Sequence, residues 1–75
     1  MIRDAVKRWL DDKYGVSRCH PHEPYWGICI DDCPPIFLYE SHVYCTLFEI
    51  PYHDPDFFQK FQDIIEQAMA TWNRY

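Results

Sequence analysis

Tyr25 to Ile50 reads YWGICIDDCPPIFLYESHVYCTLFEI, and its punctuation decides the fold. Tyr25 to Asp31 is an apolar and aromatic run of strand length. Asp32-Cys33-Pro34-Pro35 must then turn, because proline donates no ladder hydrogen bond and restricts the residue before it. Ile36 to Glu40 reads as a second strand, Ser41-His42 as a tight connection, and Val43 to Ile50 as a third strand rich in β-branched and aromatic residues. Connections this short join antiparallel neighbours, so residues 25–31, 36–40 and 43–50 predict a three-stranded meander.

Helical signals flank the sheet. Downstream, Asp54 suits an N-cap, Pro55 a first helical position and Asp56 the positive end of the dipole. Phe57, Phe58, Phe61, Ile64, Ile65, Ala68 and Trp72 then share one face of a helix expected over about residues 55–73, a stripe that reads as core packing. Upstream, Ile2, Val6, Trp9, Leu10 and Tyr14 recur at helical spacing, and Gly15 follows where a left-handed cap belongs, giving a helix over about 2–14. Its outer face, with Asp4, Arg8 and Asp12 at four-residue steps, reads as solvated and ion-paired. Residues 16–24, with two prolines and no periodicity, read as a loop. The expectation is a single α+β domain over residues 1–75, ordered α-β-β-β-α, with both helices packed on one face of the sheet.

Strand alternation divides the sheet into two apolar faces. Trp26, Ile28, Ile30, Ile36, Leu38, Glu40, Val43, Cys45, Leu47 and Glu49 fall on one; Tyr25, Cys29, Phe37, Tyr39, Tyr44, Thr46, Phe48 and Ile50 on the other. If the helices cover the aliphatic face, Phe37, Tyr39, Tyr44 and Phe48 form an exposed patch larger than a monomer usually tolerates. The other reading is that the first helix or the 16–24 loop folds over it.

Charge narrows the partner. The net charge is −5, and residues 19–75 carry nine acidic against two basic side chains, so the body of the domain is an anion. Direct binding to a phosphate backbone is not expected, because that affinity comes mainly from Lys and Arg displacing counterions. A basic protein partner is. No stretch approaches the roughly 20 apolar residues that span a bilayer, and the N-terminus lacks the apolar core of a signal peptide. No membrane contact and a cytoplasmic location are the expectations.

Four cysteines leave three options: reduced thiols, a disulfide such as Cys29 with Cys45, or a metal site. Cys19, His22, Cys29 and Cys33 supply four ligand types suited to tetrahedral zinc, although the spacing matches no common finger. Catalysis is not expected. The acidic surroundings raise thiol pKa values, the histidines lie at element ends, Asp31-Asp32 and Asp54-x-Asp56 are accounted for by turns and caps, and Gly15 and Gly27 make no phosphate loop.

The order α-β-β-β-α resembles that of the double-stranded RNA-binding domain. That family grips phosphates with basic residues opening its second helix, where this chain has Asp54, Pro55 and Asp56, so the resemblance is of topology and RNA binding is not implied. In size and charge the chain is similar to small acidic inhibitors of phages, mobile elements and toxin systems, the anti-CRISPR and nuclease immunity proteins. That likeness implies a nucleic-acid mimic, a non-enzymatic inhibitor or adaptor that covers a basic site. The expected docking residues are Phe37, Tyr39, Tyr44 and Phe48 as anchors, with Asp31, Asp32, Glu40 and Glu49 steering the encounter. Homodimerisation through the same sheet face is a further use of such a surface, and a zinc-stabilised module without other cofactor is the alternative function.

Overall fold

In the computed structural model, which describes residues 2–72, the elements run α1 (Ile2–Tyr14), β1 (Val16–His22), β2 (Tyr25–Ile30), β3 (Ile36–Tyr39), β4 (His42–Cys45), β5 (Phe48–Pro51) and α2 (Phe57–Trp72). The strands form one antiparallel sheet in sequential order. The α+β class stands, and the three expected strands become five.

The first added strand is the segment expected to be a loop. β1 pairs with β2 from Val16 opposite Ile30 to His22 opposite Tyr25, with a bulge at Ser17 between Val16 and Arg18. It is an edge strand, so it need not be apolar on both sides. Proline is admitted there, and the bulge together with Pro21 blunts an edge that would otherwise invite another chain to pair.

The second comes from dividing the long third strand. Thr46 and Leu47 both adopt positive φ, 47° and 72°, and reverse the chain in a two-residue turn between Cys45 and Phe48. This reversal changes which residues share a face. Pairing sets Tyr44 opposite Glu49 and Val43 opposite Ile50, so Glu49 joins the aromatic face, Ile50 joins the core, and Phe48 leaves the aromatic set.

The core lies on one side of the sheet. Ile28, Ile30, Ile36, Leu38, Val43, Cys45 and Ile50 are buried against Val6 and Leu10 of α1 and Phe57, Phe61 and Ile65 of α2. Each such side chain contributes about 1.5–3 kcal/mol on burial. Trp9 joins the helices, its ring 5.7 Å from Phe61 and 5.1 Å from Phe58. Arg3 is buried too: its guanidinium lies 4.2 Å over the Trp26 ring, and Nη2 donates to Glu23 Oε1 at 2.9 Å.

Caps fix both helices. At the end of α1 the Gly15 N–H donates to the Asp11 carbonyl, with φ at 80°, and the Val16 N–H donates to Asp11 Oδ1. Before α2, Asp54 Oδ1 accepts from the Asp56 N–H and Oδ2 accepts from Lys60 Nζ at 2.7 Å. The Lys60 ammonium beside Asp54 and the Asp56 N–H hold that carboxyl below its usual range. The cap stands where the sequence predicts it, and the regular helix starts at Phe57, after one tighter turn closed by the Phe57 N–H on the Asp54 carbonyl. Asn73, the expected end of the helix, lies outside the described residues.

Candidate functional site

Because both helices pack on the aliphatic side, no other element among the described residues covers the opposite face of the sheet. Strand register decides what stands on it. Alternation places Arg18, His20 and His22 of β1, Tyr25, Gly27 and Cys29 of β2, Phe37 and Tyr39 of β3, His42 and Tyr44 of β4, and Glu49 of β5 together.

The rings touch in a connected run. Tyr25 sits at its centre, 5.2 Å from Phe37 in an edge-on arrangement, 5.4 Å from Tyr39 and 6.5 Å from His22. Phe37 continues to Tyr44 at 6.2 Å, and Tyr39 stacks on His42 at 4.8 Å with planes 9° apart. Offset and edge-on ring contacts of this kind are favourable by about 0.5–1.5 kcal/mol each beyond the area they bury, so the platform is held in shape before any partner arrives. Tyr39 is also fixed from behind, its carbonyl accepting from the Tyr52 hydroxyl. Ser41 Oγ lies 3.0 Å from His42 Nδ1, a hydrogen bond at the rim. Tyr25, Phe37, Tyr39, Tyr44 and Glu49 line a shallow depression of about 230 Å³. The four aromatic side chains are half-buried by one another while their outer faces meet solvent.

The expected docking residues are distributed as follows. Phe37, Tyr39 and Tyr44 stand on the open face, and Glu49 stands beside Tyr44 inside the depression, not at a distance from it. Phe48 faces the helix side and packs at the flank of α2. Asp31 and Asp32 occupy the β2–β3 turn at one end of the sheet, Asp32 with φ 62°; Glu40 lies in the β3–β4 turn at the other end. Both ends of the platform therefore carry carboxylates. Tyr25, His22 and His42 belong to the platform and were not among the expected docking residues. Tyr25 was legible, since it alternates with Gly27 and Cys29, whereas the histidines required the pairing of β1 and β4.

The proposed zinc ligands do not converge. Cys19 pairs opposite Ile28 and packs toward the core, His22 and Cys29 stand on the open face, and Cys33 is buried in the β2–β3 turn. Cys19 and His22 are an odd number of residues apart on one strand, which puts them on opposite faces. Among the described residues no three His, Cys, Asp or Glu side chains are arranged to hold a metal ion. The four cysteines are free thiols, and Cys29 and Cys45 face opposite sides of the sheet, which rules out the bridge between them. Burial pushes the Cys33 thiol up to about 12, with Cys45 adding to the effect, and burial raises Cys45 as well. Both are protonated and poorly nucleophilic at neutral pH.

No protein-family model, curated protein or solved structure matches the chain. No helix among the described residues is long and apolar enough to cross a membrane.

Proposed function

We propose that this chain is a non-enzymatic protein-binding domain that docks its open sheet face on a basic segment of a partner protein, acting as an inhibitor or adaptor. The observation that carries the reading is the connected, uncovered platform of Tyr25, Phe37, Tyr39 and Tyr44 with Glu49 set into it. Tyrosine suits such a surface because its ring gives desolvated contact and its hydroxyl stays wet. Ring faces beside a carboxylate favour a guanidinium, which stacks on the ring while pairing with the acid. Glu40, Asp31 and Asp32 at the two ends, on a chain of net charge −5, add long-range attraction for a basic surface and repel acidic ones. A nucleic-acid-binding protein presents the kind of basic surface that such a domain would occlude. Among the described residues Arg18 is the one Lys or Arg that alternation places on the face, too few to hold a phosphate backbone.

Fluorescence anisotropy with labelled nona-arginine, nona-glutamate and oligothymidylate tests the reading. Nona-arginine should bind, lose affinity as salt is raised, and bind about tenfold or more weakly to the Tyr39→Ala/Tyr44→Ala double variant. Preference for oligothymidylate would replace a protein partner by single-stranded nucleic acid.

A further inference from the structure

The sheet has two edges, and they differ. β1 carries the bulge at Ser17, Pro21 and the basic Arg18, which together discourage pairing with another chain and repel a basic one. β5 pairs without a bulge, and its register shows what the backbone offers. The Tyr52 N–H donates to the Ser41 carbonyl, which makes those two residues a hydrogen-bonded pair. Alternation then makes Val43 with Ile50 and Cys45 with Phe48 hydrogen-bonded pairs, and Tyr44 with Glu49 a pair that exchanges no backbone bonds. The Glu49 N–H and carbonyl therefore point outward from the sheet, where no further strand among the described residues meets them. Pro51 faces outward too, but it brings no N–H and its carbonyl accepts from the Asp54 N–H, so the open edge centres on Glu49.

A groove of about 310 Å³ runs between this edge and the first half of α2. Phe48, Ile50 and Ile64 give it an apolar floor, and Glu49 and Asp63 give it two carboxylates. Its other charged groups, Asp54 and Lys60, lie 2.7 Å apart and neutralise each other. Ile64 stands about 12 Å along α2 from Trp72, at 1.5 Å per residue, so the groove is distant from the end of that helix. Charge thus selects both the edge and its occupant: a basic chain is repelled at β1 and attracted at β5. Glu49 also lines the depression on the open face, which makes the groove and the aromatic platform one continuous surface.

We infer that the β5 edge takes an extended basic segment of the partner as a sixth strand, an inference that rests on the docking reading above and gives it a backbone geometry. The Glu49 N–H and carbonyl bond one residue of that segment, the mode in which an added strand gains affinity from the main chain and specificity from alternate side chains. The residue opposite Glu49 places its side chain on the open face, beside Glu49 and Tyr44. Its two neighbours enter the groove, where their aliphatic stems lie on Phe48 and Ile64 and their cationic ends meet Asp63.

Amide hydrogen exchange and fluorescence anisotropy test the pairing, with labelled nona-arginine and a nine-residue peptoid that bears the same guanidinium groups but no backbone N–H. Exchange of the Glu49 N–H should be fast in the free protein and slow tenfold or more on saturation with nona-arginine. The peptoid should bind tenfold or more weakly than nona-arginine. Asp63→Lys should weaken nona-arginine binding well beyond Asp12→Lys, which makes the same change of charge on the outer face of α1. Nona-arginine binding that needs Tyr39 and Tyr44 but leaves Glu49 exchange unchanged, or is matched by the peptoid, overturns the added strand and leaves the open-face reading standing. Absence of nona-arginine binding overturns both.

Discussion

Arg3 shows how a single residue can work against the fold that holds it. Its side chain is 7% exposed, with Nε and Nη1 buried and without a hydrogen-bond partner, while its ion-pair partner Glu23 is 71% exposed. An unsatisfied buried donor costs about 1–3 kcal/mol, and the stacked stem is what repays it. Arg3→Met keeps the stem over Trp26, removes the donors and lets Glu23 return to water. Thermal unfolding should show it equal to the wild type or more stable by about 1 kcal/mol, with Arg3→Ala clearly less stable. Cys33 and Tyr52 set the pH limit. Burial pushes both groups up to about 12, from ordinary values of 9.0 and 10.0, so each holds its proton more tightly folded than unfolded. Their stabilisation is complete below pH 9 and is lost as pH rises toward 12. Chemical denaturation across that range should show a steady fall in stability, and Cys33→Ala should remove its earlier part.

At the level of elements, the β4–β5 hairpin holds two residues ill-suited to its turn. Replacing them with the pair that a two-residue turn of this hand favours, Thr46→Asn with Leu47→Gly, should raise stability by about 1 kcal/mol or more in denaturant unfolding. The same turn explains what the sequence left illegible. Thr46-Leu47 carries no Gly, Asn, Asp or Pro, so Val43 to Ile50 reads as one strand, and unbroken alternation exchanges Phe48 with Glu49. β1 was hidden for a related reason: Pro21 and the polar Ser17, Arg18, His20 and His22 are admissible in an edge strand but look like a loop when strands are sought by apolar pattern. By contrast α1, β2, β3 and the Asp54-Pro55-Asp56 start of α2 were plain, because apolar period and capping chemistry agreed at each. Phe37, Tyr39 and Tyr44 were found through alternation within short strands, which needs no knowledge of pairing.

At the scale of the whole molecule, two helices on one side leave the other side of the sheet uncovered among the described residues. Sheet and helices are joined by an apolar core, with the candidate metal ligands Cys19, His22, Cys29 and Cys33 spread over both faces. Adding a chelator to protein purified without one should leave the melting temperature unchanged; a fall of several degrees would restore a structural metal. The central claim is that the open aromatic face is the working surface. Amide chemical-shift mapping of the full chain during titration with nona-arginine tests it most directly. Perturbations should concentrate at Tyr25, Phe37, Tyr39, Tyr44 and Glu49 and spare the outer faces of α1 and α2. Shifts confined to the helices, or spread evenly over every exposed carboxylate with the platform unmoved, would contradict it.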